Sequence, residues 1–145
     1  MMNCRVYLDN CCFNRPYDDQ SYLTIRLEAE AKLFIQKEIL QGTFAFAWSY
    51  MLDYENSMNP YDERRKEIIK WRSVADVDID YSKEINILGK KVMAHGFKIK
   101  DALHIACAVT AKCDYFITTD NGILNKQFGA IHTINPIDFI RKLGA

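Results

Sequence analysis

The sequence predicts an α/β fold: a three-layer α/β/α sandwich around a central, mainly parallel sheet of about five strands. Three observations carry this prediction. Short β-prone runs alternate along the chain with stretches whose apolar residues fall at helical spacing. Cap residues and prolines open the helical stretches, and glycines close several of them. The order that results is strand, helix, strand, helices, strand, helices, strand, short helix, strand, helix, and strands joined through helices pair in parallel.

The first run, "CRVYL" at 4–8, is β-prone and ends at Asp9. Residues 10–19 read as a loop, with Asn10, Asn14, Pro16 and Asp18. From about Ser21 to Gln41, Leu23, Leu27, Ala31, Phe34, Ile35 and Ile39 fall at helical spacing, and Gly42 is the stop. "TFAFAW" (43–48) is the second strand, and Ser49 caps a short helix through Glu55. "NPYDERRKEIIKW" (59–71) has Asn as cap, Pro at the first helical position and acids in the first turn. A third strand fits around 76–80, and Ser82 caps a helix that stops near Gly96. "KDALHIACAVTAK" (100–112) is helical, "DYFIT" (114–118) is the fourth strand and "AIHTIN" (130–135) the fifth. Asn135-Pro136 then opens a terminal helix.

The length of 145 residues fits one domain, 1–145, able to bury a core without staples. The 19 basic and 19 acidic residues cancel, which argues against coating nucleic acid or membrane by bulk electrostatics. Five cysteines, an odd number with no CxxC pair, read as reduced thiols in a cytoplasmic protein. No secretory leader and no apolar run of membrane-spanning length is present in the sequence, so no membrane partner is expected.

Ligands bind beyond the carboxyl ends of the strands in parallel sheets. Asp9 directly follows the first strand, Glu55 lies six residues after Ser49, Asp101 opens the helix leading to the fourth strand, and Asp120 follows that strand in "FITTDNGIL". All four belong at one edge of the sheet. Each has a plainer reading alone: Asp101 as a helix N-terminal charge, Asp120-Asn121-Gly122 as a turn, Glu55 as a solvated helix residue. Together, four converging carboxylates repel one another and raise each other's pKa values, a penalty that a divalent cation removes. Oxygen donors suit a hard ion, Mg²⁺ or Mn²⁺, and neither the cysteines nor the three histidines show zinc spacing.

These residues resemble the PIN domains, the metal-dependent nuclease fold of VapC-type toxins. "VYLDNCCFNRP" is similar to the opening strand with its first acid, "SYMLDYE" to the Ser-to-Glu segment, and "KDALHIACAVTAKCDYFITTDNGIL" to the best-marked block. The chain departs in carrying Asn10 where the family often has Thr or Ser. The resemblance implies an endoribonuclease holding one or two Mg²⁺ or Mn²⁺, with catalytic Asp9, Glu55, Asp101 and Asp120. Asp9, Asp101 and Asp120 would be direct or water-mediated ligands; Glu55 would be a further ligand or would orient the attacking water. Asn10, Thr118 and Asn121 would fix carboxylate rotamers, whereas strand alternation turns Thr119 away. Toxins of this type usually work with a small antitoxin and usually dimerise.

RNA beside an acidic site requires nearby cations. Arg15 and Lys100 neighbour acids in sequence and are the candidates for RNA contact; the run from Arg64 to Arg72 reads better as a solvated helix face. His104, three residues after Asp101, either bonds that carboxylate or is a packed helix histidine. Two other functions compete: a catalytically inactive PIN-like RNA-binding or scaffold domain, and a phosphoacceptor receiver domain. The receiver is disfavoured because Asp9 has no acidic neighbour and the fifth strand ends in Asn135-Pro136.

Overall fold

A computed structural model describes residues 4–144. Strand β1 (Arg5–Leu8) leads into helix α1 (Asn10–Asn14), a 3₁₀ turn (Arg15–Tyr17) and the long α2 (Leu23–Leu40). Strand β2 (Ala45–Ser49) is followed by α3 (Tyr50–Ser57), α4 (Asp62–Ile69) and a second 3₁₀ turn (Lys70–Val74). Then come β3 (Val77–Ile79), α5 (Lys83–Met93), α6 (Ile99–Thr110), β4 (Tyr115–Ile117), α7 (Asn121–Leu124), β5 (His132–Ile134) and α8 (Pro136–Leu143).

The five strands pair in parallel in the order β3-β2-β1-β4-β5. Tyr7 on the central strand faces Ala47 of β2 on one side and Phe116 of β4 on the other. Val6, Tyr7 and Leu8 are all fully buried, as befits a strand covered on both sheet faces. Helices α5 and α6 pack as one pair and α2 and α8 as another, completing the expected three-layer α/β/α arrangement. A receiver-type sheet would run 2-1-3-4-5, so this topology excludes that competitor.

The order also locates the crevice. From β1 the chain builds outward through β2 and β3, then returns to lay β4 and β5 on the other side of β1. The direction reverses between β1 and β4, and ligands of open parallel sheets sit at such a reversal, beyond the strand ends. The Asp9 amide donates to the Ile117 carbonyl at 2.9 Å, holding the two strand ends together there.

Three local expectations need correction. Residues 10–17 are helical rather than a loop, because Cys12 and Phe13 are fully buried. Phe13 packs edge-on to Trp48 at 5.6 Å and Cys12 Sγ donates to the Ile117 carbonyl, which fastens the helix to the sheet. Helix α4 begins at Asp62, not at Pro60: the Asn59 side chain accepts from the Tyr61 amide and makes a turn of its own. In α2, Leu23 and Leu27 of the expected core stripe are exposed, while Glu28, Lys32 and Gln36 are buried beside Ala31, Ile35 and Ile39. The cap expectations at Ser49, Ser82 and Asn135 hold, each side chain accepting from a first-turn amide.

Candidate active site

Asp9 is buried at 7 % exposure, at the junction of β1 and α1. Its carboxylate is fixed from three directions. The Asn10 amide donates to Oδ1 at 2.8 Å, the Thr118 hydroxyl to Oδ2 at 2.8 Å, and the Cys11 thiol lies 3.5 Å from Oδ2. Thr118 also accepts from the Asp120 amide at 3.1 Å. One hydroxyl thus couples the acid after β1 to the chain after β4. Asp120 caps α7 by accepting from the Gly122 amide at 2.8 Å, and Asn121 is exposed in the first turn of that helix. The turn and the acid therefore share one residue.

Glu55, on α3, meets the Asn10 side chain at 3.5 Å through Oε2. Its Oε1 is bonded to Nε2 of His104 on α6. His104 is 1 % exposed, and its Nδ1 lies 2.6 Å from the Tyr7 hydroxyl, which in turn lies 2.6 Å from Ser49 Oγ. The ring therefore reaches Glu55 rather than Asp101. Helical spacing reveals neighbours within a helix but not the α3 residue brought across from another element. Asp53, two residues before Glu55, faces elsewhere: it accepts from Trp48 Nε1 at 2.9 Å and pairs with Arg72 at 3.5 Å.

Among the described residues, one group of acids and histidines has ligand atoms all within 4.8 Å of one another: Asp9, Glu55 and His104. Asp101 and Asp120 stand outside this tight group yet share its field. Burial raises the Asp101 carboxyl above its ordinary value, and the charges of Asp9 and Asp120 push it further. Burial likewise raises Asp9, with Glu55 adding to the shift while His104 and Thr118 oppose it. Burial also acts to raise Glu55, but His104, Lys100 and Asn10 outweigh it and hold this carboxyl low.

The residues fit a hard divalent cation. Its charge would relieve the raised carboxyls of Asp9 and Asp101. Asn10 Oδ1 is buried without a hydrogen-bond partner, one more hard oxygen beside the acids.

The surrounding cations divide into two kinds. Lys100 is exposed, lies over the Tyr54 ring at 5.6 Å and acts electrostatically on Glu55. Arg15 is held by Asp18 at 3.1 Å, Glu28 at 3.2 Å and Thr119 Oγ1 at 2.7 Å, so its guanidinium fastens the loop after α1 to α2 and β4. Thr119 takes this role and stays away from the acids, as strand alternation expects. Arg65, Lys66, Lys70 and Arg72 are each paired with an acid on the surface, which agrees with a solvated helix face.

Two residues have partners that the sequence did not reveal. His104 left only its spacing from Asp101 as a signal. Cys11 reads in the sequence only as one of five reduced thiols, yet it is half-buried, 3.4 Å from Thr118 Oγ1 and beside Asp9.

No family model matches the chain, and no curated protein matches it. The fold has a counterpart among solved structures. A chain from the crystal structure of VapBC2 from Rickettsia felis, bound to a DNA fragment from its promoter, superposes with a TM-score of 0.56 at 13 % identity. The match covers 90 % of this chain and 98 % of that one. The likeness is one of fold: the five-stranded parallel sheet between helical layers is PIN-like.

Proposed function

We propose that this chain is a metal-dependent endoribonuclease that hydrolyses RNA phosphodiester bonds, and that it serves as the toxin of a toxin–antitoxin pair. The observation that carries this reading is the placement of Asp9 and the Thr118–Asp120 segment at the strand reversal, with Glu55 and Asp101 in the same electrostatic neighbourhood. Asp9, Asp101 and Asp120 hold the cation, Mg²⁺ or Mn²⁺. When bound, such an ion activates a water and stabilises charge on the phosphoryl group. Thr118 and the Asn10 amide keep the Asp9 carboxylate in one rotamer. Glu55, whose carboxyl His104 and Lys100 hold low, would be a further ligand or would orient the attacking water. Lys100 offers an exposed cation to the RNA backbone.

A partner is part of this reading. The neighbouring structure is a VapBC complex, and α2 exposes Leu23, Leu27, Leu33 and Leu40. These exposed leucines leave room on α2 for an antitoxin or a second copy. No helix of the described residues is long and apolar enough to cross a membrane.

The test is cleavage of structured RNAs by purified protein with Mg²⁺ or Mn²⁺, then with chelator, in wild type and Asp9→Asn. The expected result is metal-dependent cleavage by wild type alone. Cleavage that survives chelation or the substitution sinks the mechanism, and RNA binding without turnover under any metal points to the inactive RNA-binding domain instead.

A further inference from the structure

A line of three fully buried polar side chains runs through the core and ends at Glu55. Tyr7 sits in the middle of β1 at 0 % exposure, Ser49 closes β2 at 0 %, and His104 lies on α6 at 1 %. Polar groups so deep are costly unless every one finds a partner. Each does. The Leu52 amide donates to Ser49 Oγ at 3.3 Å, Ser49 Oγ meets the Tyr7 hydroxyl, and that hydroxyl meets His104 Nδ1. His104 Nε2 meets Glu55 Oε1.

The partners dictate the direction of the chain. A carboxylate oxygen at Glu55 Oε1, met by His104 Nε2, can only accept. His104 Nε2 must therefore carry a proton and donate it. A ring protonated at Nε2 alone leaves Nδ1 as an acceptor, and in that tautomer the Tyr7 hydroxyl donates to Nδ1 and itself accepts from the Ser49 hydroxyl. The opposite tautomer would set the Nε2 lone pair against the carboxylate. A histidine needed only for packing would be equally served by a backbone carbonyl. This one is braced from behind by two further side chains and directed at a carboxylate of the acid cluster.

We propose that His104, backed by Tyr7 and Ser49, is a positioning residue for Glu55. It occupies Oε1, so that Oε2, which the Asn10 side chain meets at 3.5 Å, is the oxygen turned to the attacking water. This rests on the nuclease reading above. It assigns His104 to the orientation of Glu55 and not to the cation, although its ring lies in the tight Asp9–Glu55–His104 group.

The experiment is a double-mutant cycle on RNA cleavage, using His104→Leu, His104→Gln, Tyr7→Phe and Glu55→Gln in the full chain. His104→Leu should lower kcat about tenfold or more with KM little changed. His104→Gln, which keeps a donor, should recover part of the loss, and Tyr7→Phe should show a smaller one. In the Glu55→Gln background, His104→Leu should have no further effect. Mn²⁺ affinity, measured by calorimetry, should survive His104→Leu and collapse in Asp9→Asn. Multiplicative losses in the cycle would mean that His104 acts independently of Glu55. Loss of Mn²⁺ affinity in His104→Leu equal to that in Asp9→Asn would make it a metal ligand. Either result overturns the proposal.

A readout free of activity separates this proposal from the nuclease reading. Nitrogen-detected NMR should show His104 protonated at Nε2 and accepting at Nδ1, with an exchange-protected Nε2 proton that disappears in Glu55→Ala, which removes the acceptor. A wild type that cleaves no RNA but shows this signature refutes the nuclease and keeps the positioning geometry. A ring protonated at Nδ1 alone refutes the positioning.

Discussion

On the proposed reading Asp9 would serve two ends that conflict without a cation. It is buried in the wall between β1 and β4, and it would have to be charged to hold a metal. Its raised pKa has a definite sign in stability. A carboxyl raised in the folded state contributes stability that is present below its ordinary value and lost as pH rises through the folded value. Asp101, also raised, acts in the same direction, whereas the lowered Glu55 contributes stability above its ordinary value and loses it as pH falls. Comparing wild type with Asp9→Asn isolates the first term. The metal-free variant should melt higher than wild type at neutral pH. The gap should shrink as pH is lowered toward the ordinary carboxylate range. Thermal melts across that range check it, and a variant that melts lower at neutral pH would show that Asp9 is not strained by burial. Thr118→Val, which takes a donor from Asp9 Oδ2 and an acceptor from the Asp120 amide, should cost about 1–3 kcal/mol by denaturant titration.

At the scale of elements, the site depends on α1. This five-residue helix is too short to stand alone, so Phe13 and Cys12 must hold it to the sheet for Asp9 to keep its direction. Phe13→Ala should therefore destabilise the chain by about 3–5 kcal/mol and weaken Mn²⁺ binding, although Phe13 touches no acid. Denaturant unfolding with metal calorimetry checks both. This helix also shows where sequence reading reached its limit. Asn10, Asn14 and Pro16 are good loop residues, and only the tertiary contacts of Phe13 override them. The strands, the caps at Ser49, Ser82 and Asn135, and the edge position of the acids were legible, because cap chemistry and strand ends are local. The burial of Glu28, Lys32 and Gln36 in α2 was not: Glu28 is buried because Arg15 and Asn135 arrive from distant parts of the chain to pair with it. The Tyr7–His104–Glu55 line escaped for the same reason, since it joins β1, α6 and α3.

For the whole molecule, the topology does the chemical work. A central strand covered on both faces ends at the point where the sheet reverses direction, and the acids come there from β1, α3, α6 and the turn after β4. On the proposed reading, carboxylates drawn from four elements to one edge would be clamped by a cation, which would link metal binding to folding. A divalent ion at a hundred times its Kd should stabilise the folded chain by about 2.7 kcal/mol, an effect that chelator reverses and Asp9→Asn loses. The most direct test of this account is an anomalous difference map from crystals soaked in Mn²⁺. The account predicts a peak at the carboxyl end of β1 and β4, within about 2.0–2.6 Å of Asp9 and of Asp101 or Asp120. Crystals that take up no Mn²⁺ there, or that bind it only at sites away from Asp9, would contradict it.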